Sequence, residues 1–154
     1  MKKPTKRLMI EQLDKKLGPM KTMAVLTQPT GGWIRAIRTS LNMSLRQSAS
    51  RMGISAPSVK DLEQREALGT ISLNALRSAA QALNMNLVYG LVPRKGSLDE
   101  MITEKAKEVA RNIVMRTDTT MRLEDQQVQK ERLEKAVNEL ADEIKREMPK
   151  YLWD

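Results

Sequence analysis

The chain of 154 residues contains no cysteine and no histidine. Without cysteine it has neither a disulfide framework nor thiolate chemistry, and without histidine it lacks the commonest metal ligand and general base. No acidic pair stands in a glycine-rich or strand-end context that would suggest catalysis by carboxylates alone. We therefore expect a protein that is not an enzyme and that uses no metal or other cofactor.

Phenylalanine and long apolar runs are missing as well. Aromatic residues make up only 3% of the chain and there are eleven methionines, so the core must be built from aliphatic side chains and methionine. No apolar run approaches the length that spans a bilayer, and the Met-Lys-Lys start is not followed by the apolar region of a signal peptide. We expect a cytoplasmic protein without membrane contact.

Positive charge is concentrated in the first two thirds of the chain. Residues 1–96 contain 16 Lys and Arg against 5 Asp and Glu, whereas residues 97–154 contain 11 against 14. A basic surface gains affinity for nucleic acid by releasing condensed counterions, although it could also be a solvated or membrane-facing surface. The basic part of the chain suits DNA and the acidic part does not.

Residues 44–65 have the pattern of two short helices joined by a tight turn. Ser44 and Gln47 can form a capping box that starts the first helix. Gly53 suits a turn that needs positive φ, and Ser55 can cap the second helix. The positions expected to face inward are Ala49, Met52, Ile54, Val59 and Leu62.

The outward side of the second helix is the predicted DNA-reading surface, because such a helix fits the major groove. The expected contacts are Lys60, Ser58 and Asp61 at base edges, Ala56 or Pro57 at thymine methyl groups, Arg46 and Arg65 at phosphates, and Ser55 and Gln64 beside them. A homodimer would place two such helices about 34 Å apart on one face of the duplex, which predicts a two-fold operator.

This pattern resembles the Xre/Cro type of helix-turn-helix repressor. The family pattern of alanine, then glycine, an aliphatic residue and serine is matched by Ala49, Gly53, Ile54 and Ser55; the chain departs from it at Leu45, Ser48, Ala56 and Pro57. In that family an arginine and a glutamate at the positions of Arg38 and Glu63 commonly form an ion pair between helices. Arg38 could also contact a phosphate, and we favour the ion pair as its primary role. The resemblance implies a five-helix DNA-binding domain.

The segments around this pattern predict further helices. Residues 4–17 predict a helix capped by Thr5 and ended by Gly18-Pro19, with an apolar stripe of Leu8, Met9, Leu13 and Leu17. Two more helices are expected over residues 33–42 and after Ser72; their inward residues would be Trp33, Ile34, Ile37, Leu41, Leu73, Leu76, Ala80 and Leu83. Residues 86–93 predict a short strand or, nearly as well supported, an extended linker. Such a strand could pair with residues 22–27 or with its two-fold mate.

Residues 97–154 predict an acidic helical tail. Ser97 would cap a helix with an apolar face of Ile102, Ala106, Val109, Ala110 and Ile113, and a long helix over residues 121–148 would carry a seam of Leu133, Val137, Leu140 and Ile144. The fold class is therefore all-α with at most one short strand. We divide the chain into an N-terminal helix and loop (1–30), a DNA-binding domain (31–96) and a partner-binding tail (97–154).

The order of these parts resembles the bacterial family called mobile mystery protein A, with LVYGLVP after the fourth helix of the pattern and TMRLEDQ in the tail. Members of that family resemble antitoxins and are paired with a Fic-domain protein, an enzyme fold that transfers AMP to hydroxyl groups of target proteins. The resemblance implies a cytoplasmic, nucleoid-associated antitoxin that represses its own operon and inhibits a Fic-domain toxin.

The resemblance assigns inhibition of the toxin to Thr120, Glu124 and Asp125. Fic inhibitors carry Ser or Thr, three residues, Glu, and then Gly or Asn, and the chain departs from this signature only at Asp125. The glutamate would pair with the Fic arginine that otherwise holds the ATP γ-phosphate. Three alternatives stay open: Glu124 merely complements a helix N-terminus, the chain is a stand-alone Xre-family repressor whose tail only mediates dimerisation, or it is a protein-binding adaptor with an incidental basic face.

Overall fold

The computed structural model describes residues 3–117 and 126–154, and in them the chain is all-α. The α-helices are α1 (Lys3–Leu17), α2 (Trp33–Ser40), α3 (Leu45–Met52), α4 (Ala56–Leu68), α5 (Leu73–Ala82), α6 (Leu98–Thr117) and α7 (Gln126–Glu147), with 3-10 helices at Gly18–Val25 and Lys150–Trp153. None of the helices in the described residues is long and apolar enough to cross a bilayer. The chain forms two compact units: a central unit, Thr22–Gly90, and a terminal unit, Met1–Lys21 with Leu91–Asp154.

The central unit contains α2 to α5 around a small aliphatic core. Ile34 from α2, Ala79 from α5 and Leu83 just after α5 are buried, and five partly buried side chains surround them: Ile37, Met43, Met52, Ile71 and Leu76. In this unit, which is described throughout, there are four α-helices rather than the five expected from the Xre/Cro pattern. The segment after α5 continues as coil instead of a fifth helix within the unit.

Several apolar positions of the central unit are more exposed than periodicity predicts. Ile54, expected to plug the core, is 38% exposed because it lies in the turn between α3 and α4, and turns run over the surface where water satisfies their backbone groups. Three more residues expected to face inward are also exposed: Trp33, Leu73 and, just after α2, Leu41. Ala79, which we did not expect in the core, is buried, and the predicted residues Leu76 and Ala80 beside it are partly buried.

The segment expected as a strand or an extended linker is coil. Residues 86–93 have no strand, and residues 22–25, one of its expected partners, belong to a 3-10 helix. Asn84 takes a left-handed conformation (φ 56°) at the end of α5, as the sequence predicts. The chain therefore leaves α5 with an abrupt change of direction and continues unpaired.

The terminal unit is built on the packing of α6 against α7. Its buried residues combine alanines with larger aliphatic side chains: Ile102, Ala106 and Ala110 on α6, Val137, Ala141 and Ile144 on α7, and Leu152 in the final 3-10 helix. Alanines at these positions let the two helix backbones approach closely while the larger aliphatic side chains fill the remaining space. Ile113, predicted on this face, is instead 39% exposed near the end of α6.

Helix α1 belongs to the terminal unit rather than to a separate N-terminal segment. It packs against α6 through Ile10 rather than through the predicted stripe, most of which is exposed. Thr5 lies inside the helix instead of capping it. Asp14 explains the difference: its two carboxylate oxygens accept hydrogen bonds from the backbone N–H groups of Leu98 (2.8 Å) and Asp99 (3.2 Å), so α1 presents a polar cap to the start of α6.

Candidate nucleic-acid interface

Local capping fixes the geometry of α3 and α4. The Ser44 and Gln47 side chains cap each other's backbone N–H groups, at 3.1 Å and 2.8 Å, so α3 begins at Leu45 as predicted. Gly53 takes the left-handed conformation (φ 67°) that ends the helix, and Ser55 accepts a hydrogen bond from the N–H of Ser58 to start α4. A three-residue turn thus joins the two helices, and only glycine makes its first residue free of strain.

Most of the predicted DNA contacts lie on the exposed surface of α3 and α4. Ala56 is partly buried, and the others are exposed: Arg46, Ser55, Pro57, Ser58, Lys60, Asp61, Gln64 and Arg65. Val59, between Ser58 and Lys60, is fully buried, so it anchors the inner side of α4. The helix therefore presents the expected polar side to solvent and its apolar side to the unit.

Two of the predicted base readers, Ser58 and Asp61, already have partners on α4 or at its N-cap. The hydroxyl groups of Ser55 and Ser58 are 2.7 Å apart, and Arg65 Nη2 lies 2.7 Å from the Asp61 carboxylate. Both side chains of that ion pair are more than half exposed, so solvent screens it strongly. Direct base contacts by Ser58 or Asp61 would have to replace these interactions, whereas no hydrogen bond or ion pair in the described structure engages the Lys60 side chain.

The acidic residues of the central unit are all used internally. The unit contains seven Lys and Arg against three Asp and Glu. Asp61 pairs with Arg65, while Glu63 and Glu66 are buried and hydrogen-bonded within the unit. Apart from Asp61, which lies beside Arg65, the exposed charges of α3 and α4 are therefore cations, which favours a positive potential around the two helices.

Arg38 and Glu63, the expected structural pair, lie together between α2 and α4. The guanidinium donates from Nε and Nη2 to the two carboxylate oxygens, at 2.5 and 3.1 Å, and from Nη1 to the Met43 carbonyl at 2.9 Å. The hydrogen bond to Glu63 raises the pKa of Arg38, although burial acts in the opposite direction. Both side chains are about nine-tenths buried, so the geometry favours the structural role of Arg38 over a phosphate contact.

A second buried glutamate, Glu66, was not predicted. Its carboxylate accepts hydrogen bonds from the backbone N–H groups of Trp33 (2.8 Å) and Ile34 (2.9 Å), so α4 caps the start of α2. One feature of the sequence indicates that α2 needs a cap from elsewhere in the chain. Its N-cap residue is Gly32, which has no side chain that could accept a hydrogen bond from the first turn. A Cβ on Gly32 would lie 2.8 Å from the Glu66 carboxylate, so this position requires glycine for space as well as for its positive φ of 84°.

Arg51 is another exposed cation of α3 that the predicted site leaves out. Its guanidinium donates to the Ala82 carbonyl at 3.3 Å, at the end of α5. A cation at a helix C-terminus compensates unpaired carbonyl groups. Arg51 therefore links α3 to α5, and its position contributes to the positive surface.

The residues assigned to toxin inhibition, Thr120, Glu124 and Asp125, lie outside the described residues. Among the described residues, no group of three acidic side chains is arranged to hold a metal ion. Comparison of the chain with protein-family models, curated proteins and solved structures finds no match.

Proposed function

We propose that the chain is a sequence-specific DNA-binding regulator of the Xre/Cro helix-turn-helix type, with α4 as its recognition helix. The observation that carries the proposal is the charge of this surface: Glu63 and Glu66 are buried, Asp61 lies beside Arg65, and the other exposed charges of α3 and α4 are cations around a polar, solvent-facing helix. Such a surface suits phosphate binding, and a helix of this length suits the major groove.

Lys60 and Arg46 have different roles in this proposal. Lys60, at the exposed middle of α4, reads base edges, whereas Arg46, near the start of α3, holds a phosphate. Replacing Lys60 by alanine should cost roughly 1–3 kcal/mol of binding free energy on the preferred sequence and should relax sequence preference. Replacing Arg46 should weaken binding to all sequences similarly.

The test is a measurement of affinity for a selected duplex and for a scrambled duplex. Arg77→Ala is the matched control, because Arg77 is an exposed cation on α5, outside the predicted interface. We expect Arg77→Ala to leave the ratio of the two affinities unchanged and Lys60→Ala to reduce it. Equal losses on both duplexes for Lys60→Ala would refute its role as a base reader.

We further propose that this regulator is a cytoplasmic antitoxin of the mobile mystery protein A type, which inhibits a Fic-domain partner through Glu124. This part rests on the resemblance of the sequence. Glu124→Gly should release AMP transfer by the co-expressed partner, whereas Glu131→Gly, a similar change at an exposed position of α7, should not. A partner that stays silent while bound to the Glu124→Gly variant would refute inhibition by this glutamate and favour a stand-alone repressor.

A further inference from the structure

The central unit, which the structure describes throughout, contains an apolar groove away from the predicted DNA contacts. The groove has a volume of about 650 Å³ and is lined mainly by residues of α2 and α5 and of the segments beside them. Its lining includes Ile34 and Leu83, which are buried in the core of the unit. Small-molecule sites commonly have a volume of roughly 300–1,000 Å³ and a predominantly apolar lining. The groove therefore has the size and composition of a site for a small organic molecule.

Two of the four aromatic residues of the chain line this groove. The chain has two tryptophans, two tyrosines and no phenylalanine, and Trp33 and Tyr89 both lie on the groove. They are open to solvent, since Trp33 is 46% and Tyr89 62% exposed. The face of an aromatic ring attracts cations, and proteins use such faces to bind quaternary ammonium groups. Exposed aromatic side chains in an apolar groove suit a ligand that is both apolar and positively charged.

Glu66 is the one charged residue that lines the groove. It is 6% exposed, and its carboxylate oxygens accept hydrogen bonds from the N–H groups of Trp33 and Ile34. Among the described residues no Lys or Arg forms an ion pair with it, whereas the other buried glutamate of α4, Glu63, is paired with Arg38. A carboxylate can accept about four hydrogen bonds, and a buried charge without a counter-ion is costly. The groove therefore contains a negative charge that a bound cation would neutralise.

The lining of the groove distinguishes between classes of ligand. An anion would be repelled by the Glu66 carboxylate. A neutral apolar molecule would contact the walls but would leave this carboxylate without a counter-ion. A small inorganic cation would lose its hydration shell to apolar walls that cannot replace it. An organic cation with an apolar body is the ligand that matches both the walls and the carboxylate.

We propose that the groove binds a lipophilic organic cation, whose charge lies near Glu66 and whose apolar body lies against Trp33, Tyr89 and the aliphatic lining. The inference goes beyond the proposed function and does not depend on it. None of the lining residues belongs to the predicted DNA-binding set, and ligand binding is measured without DNA.

The first test is isothermal titration calorimetry of the full chain with tetraphenylphosphonium and with triphenylphosphine oxide, a neutral compound of similar shape. The chain has a net charge of +8, so non-specific electrostatic interactions disfavour the cation. We expect the cation to bind at least about tenfold more tightly, because its attraction to a partly buried carboxylate is stronger than it would be in water. Equal affinities, or no binding of either compound, would overturn the proposal.

Glu66→Gln should remove this preference, with at least about a tenfold loss of affinity for the cation and little change for the neutral compound. Glu131→Gln is the matched control, because it removes a carboxylate from an exposed position of α7, outside the groove. Glu66 also caps α2, so circular dichroism and urea unfolding must first show that the variant is folded. A folded Glu66→Gln variant that still prefers the cation would overturn the proposal.

Tyr89→Leu tests the groove without changing Glu66. It keeps an apolar side chain but removes the aromatic face, so affinity for the cation should fall roughly two- to fivefold. Tyr151→Leu, at the other tyrosine, which is 51% exposed in the terminal unit, should leave the affinity unchanged. In a Trp153→Phe background, binding should also change the fluorescence of Trp33. Unaltered Trp33 fluorescence, or equal losses in the two tyrosine variants, would place the cation elsewhere and overturn the proposal.

Discussion

Removal of Arg38 should destabilise the central unit more than the loss of any exposed cation. In Arg38→Met the Glu63 carboxylate, only 7% exposed, loses both of its hydrogen bonds to the guanidinium and keeps its burial. Removing one partner of such a buried pair costs about 3–5 kcal/mol. A unit of this size, Thr22–Gly90, has a total stability of roughly 3–10 kcal/mol, so the variant should be close to its unfolding threshold.

The two tryptophans let each unit be followed separately. Trp33 lies in the central unit and Trp153 in the terminal unit, so in a Trp153→Phe background urea unfolding followed by fluorescence reports the central unit alone. Trp153 is 56% exposed, so its replacement should be tolerated. The Arg38→Met change should lower the urea midpoint sharply or abolish the transition.

The double variant Arg38→Met/Glu63→Met distinguishes a structural pair from a phosphate ligand. It removes both charges from the buried site, and we expect it to recover most of the stability lost in the single variant, since apolar replacements of buried ion pairs are often neutral. A loss below about 1 kcal/mol in Arg38→Met, combined with weaker DNA binding, would refute the structural role.

Arg38 should add no pH dependence to the stability near neutrality. Folding raises the pKa of Arg38, so its contribution to stability is complete below the pKa in the unfolded chain and is lost only as the pH rises through the folded value. The pKa of an arginine lies far above physiological pH in both the folded and the unfolded chain. Unfolding midpoints of wild type and the double variant Arg38→Met/Glu63→Met, which keeps neither charge of the pair, should therefore differ by a constant amount between pH 7 and pH 9.

Further predictions concern single contacts. Gly32→Ala should destabilise the central unit by about 1–3 kcal/mol, because the new methyl group meets the Glu66 carboxylate and φ is positive; unfolding followed at Trp33 measures it. Asp14→Ala should destabilise the terminal unit by about 0.5–2 kcal/mol through loss of the α6 cap, measured at Trp153 in a Trp33→Phe background; no change would contradict the cap. Arg65→Ala should change the free energy of unfolding by less than about 1 kcal/mol, because its ion pair with Asp61 is exposed. It should also reduce the slope of log affinity for DNA against log salt concentration by about one. An unchanged slope would show that Arg65 does not contact a phosphate.

The sequence predicts those features of the fold that depend on neighbouring residues. The starts of α3, α4, α5 and α6 fall where Ser44, Ser55, Ser72 and Ser97 place them, because a capping hydrogen bond joins residues only three apart. Left-handed turns at glycine and asparagine are also predictable, because they depend on the residue at the turn and not on distant contacts.

Features that depend on distant contacts were not predictable in the same way. The buried side of α1 follows from Asp14 meeting the start of α6, which lies 84 residues further along the chain. The role of Glu66 likewise depends on the approach of α4 to the first turn of α2. Hydrophobic periodicity predicts that a segment is helical but does not identify the element against which the helix packs. The apolar stripe predicted for α1 was therefore placed on the wrong side of the helix.

The most direct test of DNA recognition is the salt dependence of binding by the full wild-type chain to a selected duplex and to a scrambled duplex of equal length. Base contacts predict that both affinities fall as salt rises while their ratio is retained, because counterion release is common to the two duplexes. A steep loss with a ratio near one at every salt concentration would contradict the account. It would make the exposed cations of α3 and α4 an incidental basic face.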